Sequence, residues 1–188
     1  LQVKMPTFNL TDNDINSLIA AFQEIDDNHL VFESTHFTDK NSDRYKAGKT
    51  LASSDFGACN KCHFYGNSFP LQKTQPKTWA PNLAMSKDRL RADWLVEWLR
   101  DPGKIMPGTK MPAPYIPTSD LLSSPDAKEI YGESLVKLDS DNNPDIMLES
   151  LRDYIFTING KTDISELIKD YFKENGYDFN DEEEEDDD

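Results

Sequence analysis

Five consecutive residues, Cys59-Asn60-Lys61-Cys62-His63, hold both cysteines of this 188-residue chain and one of its three histidines. Two cysteines cannot staple a disulfide-rich scaffold, and they exclude a zinc site with four thiolate ligands. A zinc ribbon would want a second ligand pair, and only His29 and His36 remain. A thioredoxin-like dithiol would want a βαβ surrounding, and strand signals are nearly absent here. An ordinary structural pair of cysteines gives no reason for a histidine directly after it.

The rest of the chain reads as helices separated by proline-rich loops. Leu10-Thr11-Asp12 offers an N-cap, and Ile15, Leu18, Ile19 and Phe22 recur at helical spacing, which predicts a helix from about 12 to 24. Residues 26–42 are polar and mixed and read as a loop. A short helix is expected over about 42–52, leading into the Cys59–His63 block. Residues 64–82 hold three prolines and no period, the mark of an ordered loop. Ser86 or Asp88 can cap the next helix, whose stripe is Leu90, Trp94, Leu95, Trp98 and Leu99 and whose end is Asp101-Pro102. Residues 102–125 carry six prolines and two glycines, so neither a helix nor a central strand is expected there. Residues 126–138 read as wholly or partly helical. Ile146, Leu148, Leu151, Tyr154, Ile155 and Ile158 make the strongest late helix, ended near Asn159-Gly160. A last short helix is expected over about 163–172, and the fold class is all-α.

C-x-x-C-H is the attachment signature of haem c. Two thiols three residues apart on one helical turn can each add to a vinyl group of a single porphyrin. The next residue, His63, then lies under the ring and can ligate iron. A second axial ligand is expected if the iron transfers electrons, and a Met thioether opposite His raises the reduction potential. Five methionines are available, Met5, Met85, Met106, Met111 and Met147. Met111 lies in the stiff segment Pro107-Gly108-Thr109-Lys110-Met111-Pro112, with Met106 as its local competitor. His29 or His36 as the distal ligand is a minor variant.

The order of motifs then becomes specific. CNKCH at 59–63 is followed by APNL at 80–83, DWLVEWLRDP at 93–102, PGTKMP at 107–112 and the helix around 145–158. Over about Tyr45 to Asn159 this resembles a class I cytochrome c domain. The resemblance implies a cytochrome c fold around one covalently bound haem c, with Cys59 and Cys62 as tethers and His63 and Met111 as iron ligands. It implies that the Pro81 carbonyl accepts a hydrogen bond from the His63 imidazole, which fixes the ring. Arg89 and Trp94 are candidates to hold the propionates, although helix packing explains Trp94 and Trp98 equally well. Two departures stand out: the interval from His63 to Pro81 is long, and Pro112 to Asn143 reads as an insertion.

The resemblance divides the chain into residues 42–160 as haem domain, 161–180 as a C-terminal helix and 181–188 as an acidic tail. Residues 1–41 are an extension with an extra N-terminal helix, in which Lys4-Met5-Pro6 echoes Lys110-Met111-Pro112 and resembles the end of another such domain. Asp139 to Ser150 starts like an EF-hand loop, but Pro144 and Ser150 stand where the turn glycine and the bidentate glutamate belong, so calcium is not expected.

Charge narrows the partners. The chain carries -15, of which the eight acids at 181–188 supply -8. A nucleic-acid binder would need a basic footprint, so none is expected. Residues 73–111 run the other way, with eight bases against four acids, and both this stretch and the tail are candidate docking surfaces for redox proteins. No apolar run approaches the roughly 18 to 20 residues of a membrane span. No segment reads as a signal peptide, while haem attachment implies an extracytoplasmic compartment such as a periplasm, with a signal peptide removed. The expected function is single-electron transfer between redox partners by a carrier that is not itself an enzyme. The alternatives are a haem subunit fixed in a larger oxidoreductase, or a haem gas sensor or peroxidase-like protein with an open sixth position.

Overall fold

The computed structural model describes residues 8–25, 39–139 and 145–176. The chain forms two compact units, Leu1–Thr35 and His36–Asp188. Met5, His29, His36, residues 140–144 of the EF-hand-like segment and the acidic tail lie outside the described residues.

In the first unit, helix α1 spans Asp12–Ile25. Its start is a reciprocal cap: the Asp14 amide donates to the Thr11 hydroxyl at 3.3 Å, and the Thr11 amide donates to the Asp14 carboxylate at 3.0 Å. The Thr11 hydroxyl also donates to the Asp14 carboxylate at 2.6 Å, and this bond, with that from the Thr11 amide, holds the Asp14 carboxyl below its ordinary pKa.

The second unit is built on a helix crossing. Helix α2, Asp43–Leu51, packs on the late helix Ile146–Ile155. Gly48 lies at the crossing, where a methyl group would overlap the Ser150 carbonyl and press on Tyr154. Arg44 bridges the same pair, reaching Glu149 at 2.9 Å and Asp153 at 3.1 Å. Leu51, Leu99, Leu135 and Leu151 are almost wholly buried around the crossing. Each such side chain contributes roughly 1.5–3 kcal/mol by leaving water.

Between the crossing helices run α3 (Ser86–Arg89), α4 (Ala92–Arg100), α5 (Pro102–Ile105), α6 (Ser119–Leu122), α7 (Ala127–Tyr131) and α8 (Glu133–Leu138). The late helix is therefore α9, and α10 follows at Ser165–Glu174. Among the described residues the secondary structure is helical, with only two isolated bridges and no strand. No described helix is long and apolar enough to cross a membrane.

Several boundaries differ from the sequence expectation. The stretch after Asp101 holds two single-turn helices where none was expected. Pro102 opens α5 at a position where its missing N–H costs nothing, and the Asp101 carboxylate accepts from the Lys104 amide at 3.1 Å. The helix expected to start at Ser86 or Asp88 is interrupted, because Leu90 is extended, and α4 begins only at Ala92. Gly132, at φ 84°, divides 126–138 into α7 and α8. The helix α9 ends at Ile155, short of Ile158.

Candidate functional site

After α2 the chain turns sharply to reach the cysteines. The Gly57 amide donates to the Leu51 carbonyl at 2.8 Å and the Ala58 amide to Ser53 at 2.7 Å. Ala58 has φ 49° and ψ 35°, and is the one described non-glycine residue in the left-handed region. That conformation costs an alanine roughly 1–2 kcal/mol, and such strain concentrates at functional sites. It redirects the chain so that Cys59–Lys61 forms a fresh 3-10 turn. The Cys62 and His63 amides both point back at the Cys59 carbonyl, at 3.3 and 3.0 Å. One turn therefore carries both thiols and the imidazole.

Both cysteines are free and half-buried. Burial pushes the Cys59 thiol above its usual range, against a smaller lowering by a main-chain hydrogen bond, so its sulfur stays protonated. Burial also lowers the His63 pKa, and the Pro81 carbonyl opposes this less strongly. The ring is thus neutral. Its Nδ1 lies 2.7 Å from the Pro81 carbonyl oxygen. A carbonyl can only accept, so Nδ1 carries the proton and the lone pair falls on Nε2.

The loop after His63 folds back on the motif. Leu71 and Gln72 donate to the Asn60 and Lys61 carbonyls at 2.8 and 3.2 Å. Ala80 donates to Cys62 at 2.8 Å, and Leu83 to Phe64 at 2.9 Å. The key to this closure is Asn82, which sequence reasoning missed. Its side chain is buried, accepts from the Gly66 amide at 2.9 Å and donates to the Gly66 carbonyl at 2.9 Å. It also accepts from the Ala84 amide at 3.1 Å and donates to the Lys161 carbonyl at 3.2 Å. Asn82 therefore fixes Pro81, its neighbour, against two other segments. Gly66, at φ 61°, lies against Asn159 and Gly160, so that a side chain on Gly66 would strike the Asn159 carbonyl and one on Gly160 would press on the Gly66 Cα.

A ring cluster covers the same loop. Phe64 packs on Phe69 and Trp79, and these two rings meet Tyr171 and Phe172 of α10, with centroids 5.3–5.9 Å apart throughout. The Tyr171 hydroxyl donates to the Lys73 carbonyl at 2.8 Å, and the Lys73 ammonium sits 4.8 Å from the Phe69 ring.

Met111 lies on a different footing. Its amide makes one long bond to the Thr109 hydroxyl, 3.3 Å. Its sulfur accepts from the Trp98 indole Nε1–H at 3.0 Å. Trp98 stacks on Trp94, centroids 5.4 Å apart and planes 11° from parallel. Met106 is 58% exposed, whereas Met111 packs against the core. Half-buried Phe56, Cys59, Tyr65, Leu90, Trp98 and Met111 all rest on that core with their outer edges uncovered.

The structure thus ties Cys59, Cys62, His63 and Pro81 together, and separately ties Trp94, Trp98 and Met111. Arg89 stands exposed at the end of α3. Trp94 is 39% exposed and uses its face on Trp98. Of the eight bases at 73–111, Arg91 pairs with Asp93, Arg100 with Glu97 and Asp145, and Lys73 with the rings. Lys77, Lys87, Arg89, Lys104 and Lys110 are exposed. The donor set of two thiols, an imidazole Nε2 and a thioether fits a covalently held iron porphyrin: the thiols suit the vinyl groups and the other two suit the iron. No family profile, curated protein or solved structure matches the chain.

Proposed function

We propose that the chain is a monohaem c-type cytochrome that carries single electrons between redox proteins. The observation that carries this reading is the His63 arrangement. A neutral imidazole is locked through Nδ1 to the Pro81 carbonyl and offers Nε2 from the same turn as two free thiols. Cys59 and Cys62 would tether the porphyrin through thioethers, and His63 and Met111 would ligate its iron. The bound haem would supply the reversible one-electron couple. The protein's part is to orient the ring of His63, to present the Met111 sulfur and to surround both with apolar side chains. The Pro81 acceptor increases the basicity of His63 as a ligand. The resemblance to class I cytochrome c over about Tyr45 to Asn159 supports the same assignment, as does an all-α architecture in which the first and last helices of that span cross.

The test is maturation of the full chain in cells that attach haem c, followed by denaturing electrophoresis and spectroscopy. Haem that stays on the denatured wild-type chain, and is lost from Cys59→Ser/Cys62→Ser, is the expected result. The oxidised protein should show the thioether-to-iron band at the red end, and Met111→Ala should abolish it and lower the potential. A chain that retains no haem overturns the proposal. Persistence of the band in Met111→Ala would move the distal ligand to another methionine.

A further inference from the structure

Helix α1 repeats the pattern of α9. Ile15-Asn16-Ser17-Leu18 stands against Leu148-Glu149-Ser150-Leu151, and Phe22 against Ile155, at one constant offset. The two serines are bonded alike. The Ser17 hydroxyl donates to the Asn13 carbonyl at 2.8 Å, and the Ser150 hydroxyl to the Ile146 carbonyl at 2.6 Å, each one turn back. A serine bonded in this way satisfies its hydroxyl within its own helix, so a neighbour can lie against it. On α9 that neighbour is α2: Gly48 meets the Ser150 carbonyl and Tyr154, and Ser150, Leu151 and Ile155 are buried. The counterparts on α1 are uncovered, with Ile15, Leu18, Ile19 and Phe22 42–63% exposed along one helical stripe. The counterpart of Tyr154 is Ala21, so a helix can come at least as near to α1 as α2 does to α9.

We propose that the α1 stripe is a docking surface for a helix of the α2 type carried by another protein: a short basic helix with glycine or alanine at its centre and leucine one turn later. The surface is independent of the haem reading above. On α2 the pattern is Ala47-Gly48 followed by Leu51, all three buried. Charge selects the same partner. Helix α1 carries Asp12, Asp14 and Glu24 and no base, whereas α2 carries Arg44, Lys46 and Lys49 against Asp43. Opposite potentials favour that pairing, while a second copy of α1 would set like charges together. A helix without Lys or Arg also gains nothing from an anionic membrane. Asn16 and Ala20 stand where α9 has Glu149 and Asp153, the two partners of Arg44, so the docked helix needs no arginine at that place.

The probe is a synthetic peptide of residues 39–53, added to the isotope-labelled full chain and followed through amide chemical shifts. Saturable binding is expected, with a Kd of about 1 mM or tighter. The shifts should concentrate in α1, and salt should weaken the binding. Leu18→Ala/Phe22→Ala keeps the helix, since alanine is the best helix former, and removes the apolar contact. It should weaken binding by about tenfold or more. The same peptide with Gly48→Leu forms helix more readily but cannot approach closely, and should bind as weakly. Absence of binding, shifts confined to α9, or binding that neither change weakens overturns the proposal. So does a wild type that sediments as a dimer while Leu18→Ala/Phe22→Ala is a monomer, because a second copy would then be the occupant. Attachment to phosphatidylcholine vesicles that the variant loses overturns it as well, in favour of a lipid surface.

Discussion

The backbone carbonyls of Asn60, Lys61, Cys62 and Phe64 are taken by amides of the loop that follows, whereas from Lys110 to Pro117 no described main-chain group bonds another. The His63 side is closed by Asn82, by the approach of Gly66 and Gly160, and by the rings of α10. The Met111 side hangs from side chains: the sulfur on Trp98, and Tyr115 stacked on Phe56 with centroids 6.4 Å apart. The difference teaches that the two proposed iron ligands are not fixed in the same way. His63 is held both through its backbone and through Nδ1 to the Pro81 carbonyl. The Met111 sulfur is held at its tip, by the Trp98 indole.

The contrast breaks most visibly at Asn82. Asn82→Ala strands the buried Gly66 N–H and C=O, and an unsatisfied buried group costs about 1–3 kcal/mol. A loss of about 3 kcal/mol in urea unfolding is expected, with the slope unchanged. Thr109→Ala, which removes the one polar anchor of the Met111 backbone, should cost less than about 0.5 kcal/mol. Equal losses in the two variants would show that the two sides are held alike.

These two residues also show what a sequence can and cannot tell. The Cys59–His63 block is legible because its chemistry is local: spacing alone puts two thiols and an imidazole on one turn. Pro81 was found only through the order of motifs, which also favoured Met111, already singled out by its stiff segment, over Met106; the structure gives each a partner, His63 and Trp98. Asn82 stood in the APNL motif without a role, because its four bonds go to Gly66, Ala84 and Lys161 and the motif does not show such a convergence. Trp98 was legible as a member of an apolar stripe, but periodicity reports a face and not what the indole N–H touches. The turns α5 and α6 were hidden by proline density, since Pro102 excludes a helix interior but suits a first turn. The loop 64–82 read as ordered, and part of its order comes from rings on α10, almost a hundred residues away.

That ring cluster gives the next, smaller test. Tyr171→Phe keeps the contacts with Phe69 and Trp79 and removes only the hydroxyl that donates to the Lys73 carbonyl at 2.8 Å. A loss of about 1 kcal/mol is expected in the same urea measurement. If α10 merely lies against the loop, the variant will match wild type, and the stiffness of the His63 side will rest on Asn82 and the backbone alone.

The smallest effect concerns the post on which Met111 depends. Helix α4, which bears Trp98, packs on α9, and Arg100 near its end meets Asp145 at 2.8 Å just before α9 begins. The hydrogen bond from Arg100 holds the Asp145 carboxyl below its ordinary value of 3.8, against a smaller opposing effect of burial. A carboxylate with a depressed folded-state pKa binds fewer protons folded than unfolded. Its contribution is therefore complete above 3.8 and declines as the pH falls through the lower, folded value. Both side chains are well exposed, at 42% and 32%, so solvent screens the pair and about 0.5 kcal/mol is the expected size. Thermal melts of wild type and Asp145→Asn should differ by that amount near neutral pH and converge in acid. High salt should shrink the difference as well. A gap that stays constant with pH would mean that Asp145 acts as a neutral cap of α9, and that α4 is held in place by apolar packing alone.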